Sequence, residues 1–311
     1  MNILILGAGA MGSLLGARLS KAGASISLYS TNRAHMEEIR RNGLMIEELD
    51  GNVSNYPLAT YSDLEKLPSN PDLVLVVVKT YATAEAVSRV LGICSPSTIF
   101  LTLQNGIGNW EKIAEIAGRE RVLAGSTAQG STLLGAGRIR HGGNGPTHIG
   151  EPGGPATDRV RRIVEIFRGA GFATEPSDNV EQLIWQKLIV NVGINAITGL
   201  TGIRNGFIAE MADASDLCSS AVEEAIIVAG ACGHPIGLEM IERVISVARA
   251  TARNRSSMGQ DVDKRKRTEI DAINGAIVRF GKQVKIPTPV NQTLTSLVKI
   301  LEENYLGRKT L

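Results

Sequence analysis

Asn2-Ile3-Leu4-Ile5-Leu6-Gly7-Ala8-Gly9-Ala10-Met11-Gly12 stands at the start of the chain, and its reading decides the fold. The apolar run before Gly7 reads as a buried strand, and residues 13–22 read as an amphipathic helix. Between them the glycines have separate tasks. Gly7 permits the tight turn, Gly9 lets the backbone approach a pyrophosphate, and Gly12 lets the helix pack closely on the sheet. The start of the helix offers unpaired N–H groups and partial positive charge to phosphates. Gly7, Ala8, Gly9, Ala10, Met11 and Gly12 are therefore the expected dinucleotide contacts, in preference to a purely structural glycine turn.

Outward from this unit, strand and helix signals alternate. Strands are expected at 25–30, 73–78 and 98–103, and helices at 33–42 and 82–91. The continuous apolar run at 73–78 suits a strand covered on both faces. Residues 122–150 read as short strands separated by glycine turns at 135–137 and 142–145, an antiparallel extension. A helix at 157–168 and a strand near Phe172 follow. Beyond Glu175-Pro176 the texture becomes helical, with helices expected at 180–200, 211–232, 238–251, 268–282 and 288–304. The expected fold is thus an α/β Rossmann-like domain, doubly wound around a mostly parallel sheet (1–176), followed by an all-α domain (177–311).

Composition sets the broad class. The 311 residues carry a net charge of +2, and 43% are hydrophobic, enough for two cores. Lys264-Arg265-Lys266-Arg267 is a dense basic run without aromatic neighbours for base stacking, so it reads as a solvated face and no nucleic-acid partner is expected. Cys94, Cys218 and Cys232 lack metal or redox spacing and read as free thiols in a reducing compartment. With no signal peptide and no stretch approaching a membrane span, the expected location is the cytoplasm.

Within the helix at 180–200, Lys187, Asn191 and Asn195 recur at i, i+4 and i+8 and share an arc of roughly 80°. Asparagine is a poor helix former, so two on one stripe point to a demand for hydrogen bonds. By spacing alone the stripe reads equally well as a polar seam against the other domain. Lys79 and Asn105 follow the strands at 73–78 and 98–103, at the carboxyl ends where open α/β sheets bind ligands.

Taken in order, several segments make the chain resemble the ketopantoate reductases (2-dehydropantoate 2-reductases). They are the glycine turn, Val78-Lys79-Thr80-Tyr81, Leu103-Gln104-Asn105-Gly106, Asn144-Gly145, Trp185-Gln186-Lys187-Leu188 with Asn191 and Asn195, and Asn205-Gly206. The series ends with Arg255-Ser256-Ser257-Met258-Gly259-Gln260-Asp261 and Thr268-Glu269-Ile270-Asp271-Ala272-Ile273-Asn274-Gly275. The resemblance implies that Lys187 is the general acid. It implies that Asn105, Asn191, Asn195, Asn205 and Ser257 hold a 2-oxo acid, and that Lys79 lies near nicotinamide and substrate. Glu269 would contact substrate or cofactor and assist proton transfer. Read by itself, Thr268-Glu269-Ile270-Asp271 has the character of a capping box, with Glu269 a first-turn carboxylate.

The implied activity is NADPH-dependent reduction of ketopantoate to (R)-pantoate, in the route to pantothenate and coenzyme A. At the end of the second strand, Ser30-Thr31-Asn32-Arg33 lacks the acid that marks NAD sites. Relatives place an arginine where Asn32 falls here, and Arg33 is displaced by one. Arg33 is the expected contact to a 2′-phosphate, favouring NADP over NAD, and Asn32 is a further expected cofactor contact. Lys79, Asn105 and Glu269 are further expected cofactor contacts, and a homodimer is compatible with the family. A paralogue acting on another branched 2-oxo acid would keep the same residues. A noncatalytic NADP-binding sensor would have lost the polar set of the second domain.

Overall fold

Unbroken runs of apolar side chains set the centre of the sheet. In the computed structural model, which describes residues 1–307, β1 (Asn2–Leu6) leads into α1 (Ala10–Lys21), β2 (Ser25–Tyr29) and α2 (Arg33–Asn42). The short strands β3 (Leu44–Glu47), β4 (Val53–Tyr56) and β5 (Ala59–Tyr61) come next. Then follow β6 (Leu73–Val76), α3 (Thr83–Val90), β7 (Ile99–Thr102), α4 (Asn109–Ala117), β8 (Val122–Gly135), β9 (Arg138–Gly150), α5 (Asp158–Gly169) and β10 (Thr174–Ser177). The strands form one sheet in the order β4-β3-β9-β8-β7-β6-β1-β2-β5, with β10 on β9. From β8 to β5 every pairing is parallel. After β1 the chain steps to β2 on one side and later to β6 on the other, which makes the carboxyl end of β1 the switch point of the sheet.

Successive residues of each central strand face opposite layers. Ile3, Ile5, Leu73 and Leu75 pack with Leu14 and Leu15 of α1, Met36 of α2 and Phe167 of α5. Leu4, Leu6, Val74 and Val76 pack with Val87 of α3 and Ile113 of α4. Both faces are covered, as the unbroken apolar runs require. Buried His35 ties this layer together: its Nδ1 accepts the Gly137 N–H at 2.9 Å, so its Nε2 carries the proton toward Ser13 Oγ at 3.0 Å.

Two expectations for this unit need correction. Of the glycine clusters at 135–137 and 142–145, only the first lies at a turn. Gly142, Gly143 and Gly145 lie inside β9, opposite β8 where the register shifts. A Cβ on Gly145 would stand 2.5 Å from that of Ala128, so glycine here serves close strand approach. The strands β3, β4 and β5 were not foreseen, because three or four residues with exposed Met45 and Val53 give no clear alternation.

The compact unit just described comprises Met1–Gln104 and Gly108–Glu181. Asn105–Ile107 belongs with the residues from Gln182 onward in a second unit. Its helices are α6 (Val180–Thr201), α7 (Phe207–Glu210), α8 (Ala212–Ala231), α9 (Glu239–Ala250), α10 (Ser257–Asp263), α11 (Asn274–Val284) and α12 (Pro289–Leu306). Four of the long helices match the sequence reading, but the helix expected over 268–282 is broken. A 3₁₀ turn at Ile270–Ala272 is followed by Ile273 at φ −111°, ψ −99°, and α11 starts only at Asn274.

The central helix is α6. Trp185 anchors it, stacked on His234 with ring centroids 5.6 Å apart and tilted against Phe280 at 5.4 Å. Gly193 lets it lie close to α8 and α9: a Cβ there would meet Cys218 Sγ and Val244 Cγ1 at 2.8 Å. The expectation that no stretch approaches a membrane span is also corrected, since α6 is long and apolar enough by length and composition, with mean hydropathy 1.3. Most of that window (61%) is buried inside the fold, which is how a core helix comes to be so apolar.

Candidate active site

At the carboxyl end of β1 the three glycines differ in their surroundings. Gly7 has φ +109°, and a Cβ on it would lie 2.5 Å from the Val78 nitrogen. A Cβ on Gly12 would run into the Gly7 carbonyl oxygen and Ile5. Around Gly9 nothing lies within 4 Å of the Cβ position. The Ala8 N–H is held by the Tyr29 carbonyl at 2.9 Å, whereas α1 begins without a side-chain cap and without an acidic residue in its first turn. A turn that is closed at Gly7 and Gly12 and open at Gly9, facing the uncapped start of a helix, fits a pyrophosphate.

Beyond β2, Asn32 caps α2: its Oδ1 accepts the His35 N–H at 3.3 Å. Arg33, the first residue of α2, is exposed and makes no ion pair among the described residues. Asn32 thus starts α2 through its Oδ1, and the Arg33 guanidinium stands next to it at the same turn.

Lys79 follows β6 at the head of a 3₁₀ turn and is half-buried. The loop beneath it is braced by Gln104, whose Nε2 donates to the Val78 carbonyl at 2.7 Å and to Thr83 Oγ1 at 2.8 Å. Thr102 Oγ1 completes the brace by donating to Gln104 Oε1 at 2.9 Å. Sequence alone assigns Gln104 no role. The signal was its place just past a buried strand, where an amide can satisfy two strand ends at once.

In the second unit, continuity of α6 through Lys187, Asn191 and Asn195 puts these side chains on one stripe. Asn195 Nδ2 reaches Ser257 Oγ at 3.4 Å, which brings two of the expected substrate residues together. Ser257 opens α10 and is exposed. Its neighbour Ser256 caps that helix, accepting the Gly259 N–H at 3.0 Å and the Thr198 hydroxyl at 2.7 Å. Arg255 donates to the carbonyls of Thr198 and Ile203 and pairs with Asp263 at 2.9 Å. Ser256, Thr198 and Arg255 thus fix α10 to the end of α6 and set the place of Ser257. Asn205 Nδ2 donates to Thr251 Oγ1 at 3.0 Å.

Two atoms of the set carry no hydrogen bond among the described residues although they are buried: Asn191 Nδ2 and Asn205 Oδ1. A buried polar atom without a partner costs about 1–3 kcal/mol, so such atoms are expected where a ligand supplies the missing bond. A donor and an acceptor are the groups that an acid carrying a hydroxyl would satisfy, its carboxylate or carbonyl oxygen accepting from Asn191 Nδ2 and its hydroxyl donating to Asn205 Oδ1. Asn274 Oδ1 is a third orphan, on a side chain whose Nδ2 donates to Val192 O at 3.2 Å and to Asn291 Oδ1 at 3.0 Å.

Burial lowers the Lys187 ammonium to about 8, against the Glu269 carboxylate, which pulls it upward. Glu269 itself is buried, on the segment before the 3₁₀ turn. The capping box read from Thr268-Glu269-Ile270-Asp271 does not form. Thr268 Oγ1 accepts from the Ile270 N–H at 3.2 Å, the Thr268 N–H goes to Glu302, and Asp271 pairs with Lys299. Asn105 shares this neighbourhood through its own segment: the Ile107 N–H donates to the Ala272 carbonyl at 3.2 Å. At φ +78°, Gly106 packs on the same residue, and a Cβ would lie 2.5 Å from the Ala272 oxygen.

The chain is similar to known proteins along nearly its whole length. The family models described as ketopantoate reductase PanE/ApbA and its C-terminal part match residues 3–154 and 179–302. The 2-dehydropantoate 2-reductase of Pyrococcus horikoshii is 36% identical over 99% of this chain and all of its own. A crystal structure of a PanE/ApbA family ketopantoate reductase from Ralstonia eutropha JMP134 superposes with TM-score 0.91 at 31% identity, covering 99% of this chain and 100% of that one. The ternary structure of D-mandelate dehydrogenase with NADH and anilino(oxo)acetate gives TM-score 0.92 at 26% identity, with the same coverage of both chains. Matches that span both units, over the very segments that carry the glycine turn and the lysine stripe, show that the chain belongs to the ketopantoate reductase family of pyridine-nucleotide oxidoreductases acting on CH–OH groups.

Proposed function

We propose that this protein reduces ketopantoate to (R)-pantoate with NADPH, as a 2-dehydropantoate 2-reductase supplying pantothenate and coenzyme A synthesis in the cytoplasm. The observation that carries the reading is Lys187: a half-buried ammonium lowered to about 8, beside Glu269 and at the head of a polar stripe on which the buried Asn191 Nδ2 has no hydrogen-bond partner among the described residues. The glycine turn from Gly7 to Gly12 would hold the pyrophosphate, and Arg33 the 2′-phosphate. The chemistry that the bound dinucleotide supplies is hydride transfer to the 2-oxo carbon.

As negative charge grows on the ketone oxygen, the Lys187 ammonium stabilises it more than the uncharged ketone and then delivers its proton there. The products are a C2–H bond and an O–H bond, and Lys187 is left neutral until solvent reprotonates it. Glu269 favours the charged form of Lys187 before each turnover. Asn191, Asn195, Asn205 and Ser257 orient the carboxylate and hydroxyl groups of the substrate, with Asn105 from the same unit; Lys79 of the first unit is a further proposed contact.

A second reading, reduction of another 2-oxo acid with NADH, is favoured by the likeness to D-mandelate dehydrogenase. Spectrophotometric turnover on a panel of 2-oxo acids with each nucleotide tests both. The highest kcat/KM is expected for ketopantoate with NADPH. A markedly better alternative acid would overturn the substrate, and equal use of NADH would overturn the cofactor preference.

A further inference from the structure

Glu269 lies on a segment with little regular structure. Arg265 adopts φ +50°, Ile270–Ala272 makes one 3₁₀ turn, and Ile273 leaves helical geometry before α11. Such a segment has few backbone bonds of its own to fix a carboxylate in place. Three side chains spaced three apart along α12 hold it. Lys299 Nζ pairs with Asp271 Oδ1 at 2.5 Å, Glu302 Oε1 accepts the Thr268 N–H at 2.5 Å, and the Tyr305 hydroxyl donates to the Lys266 carbonyl at 2.7 Å. The Glu302 side chain is buried, and its contact is the amide immediately before Glu269. From another direction the Ile107 N–H holds the Ala272 carbonyl.

We propose that Lys299, Glu302 and Tyr305 form a clasp that holds Glu269 at its working place against Lys187, with Glu302 its principal member. They are positioning residues, since none of them acts on Lys187 directly. Glu269 is the carboxylate of this segment that raises the Lys187 ammonium; the other charged groups on the segment and on α12 are Lys264, Arg265, Lys266, Arg267, Asp271, Lys299, Glu302 and Glu303. The inference rests on the reading of Lys187 as proton donor only for its effect on turnover. The geometric claim can be tested without substrate.

The test compares full-length wild type with Glu302→Ala, Glu302→Gln and Tyr305→Phe. The first readout is the pH dependence of Lys187 acetylation, followed peptide by peptide. Release of Glu269 removes its upward pull, so the Lys187 midpoint should fall by about half a unit or more in Glu302→Ala. It should stay near wild type in Glu302→Gln, whose side-chain oxygen still accepts the Thr268 N–H. The second readout is turnover: kcat should drop about tenfold in Glu302→Ala while the NADPH KM stays within about twofold. An unshifted midpoint in folded Glu302→Ala, or a Gln variant as impaired as the Ala variant, would overturn the clasp. Should Glu302→Ala fail to fold, Tyr305→Phe must show a smaller shift of the same sign, and its absence would overturn the proposal equally. A wild type inactive on every 2-oxo acid but with the midpoint shift intact would remove the proposed activity and leave the clasp standing.

Discussion

At Lys187 two opposed demands meet. An acid must hold its proton at working pH yet release it readily, and a value of about 8 keeps the ammonium mostly protonated at pH 7 while making the proton far less tightly held than in a free lysine. In the proposed role the protonated form is the donor, so kcat for reduction should fall as pH rises through about 8, and a flat profile to pH 9.5 would count against the assignment. Lys187→Ala should lower kcat by about 10²–10⁴-fold with little change in NADPH binding. Near-normal turnover in stable protein would redirect suspicion to Lys79. In the first unit, Arg33→Ala should weaken NADPH by about 1.5–3 kcal/mol and leave NADH almost unaffected, as isothermal titration can check. Lys187, Asn191 and Asn195 were legible in the sequence because helical spacing projects directly onto one face. The environment of Glu269 was not: the partners that dissolve its capping box, Glu302 and Lys299, lie some thirty residues away, beyond the reach of any local pattern.

Among the elements, the turn from β1 into α1 offers the sharpest contrast. A methyl group at Gly12 must displace the Gly7 carbonyl, whereas one at Gly9 enters open space. Gly12→Ala should therefore destabilise the protein by about 1–3 kcal/mol, visible as a lower melting temperature. Gly9→Ala should melt near wild type and lose affinity for the dinucleotide. If the two variants behave alike in both assays, the division of labour among the glycines is wrong. The glycines also show where sequence reading fails. In a strand–turn–helix setting their tasks are local and could be assigned, but Gly142, Gly143 and Gly145 serve an approach to β8 that only the paired strand reveals. Likewise α7 and α10 are too short for periodicity, although the Ser256 cap marks the start of the latter.

For the whole molecule, the parallel core and the helical second unit were readable because long apolar runs and long helices dominate them. The short strands β3, β4 and β5 were not. His35 links the layers of the first unit and sets an expectation for acid stability. Burial holds its pKa below the ordinary 6.5, and its Nδ1 is an acceptor for Gly137. The unfolded chain therefore takes up the proton first. The contribution of His35 is complete above pH ~6.5 and is lost as pH falls through the lower folded-state value. The melting temperature should drop more steeply between pH 7.5 and 5 in wild type than in His35→Gln, and parallel curves would exclude this role. A final consequence concerns the order in which a ribosome delivers the chain. Asn105–Ile107 emerges amid the first unit, yet it belongs to the second, and the carbonyl that receives the Ile107 N–H is on Ala272. Until that late residue is synthesised, this anchor of the Asn105 segment cannot form, so one expected substrate contact made early waits on a partner made late.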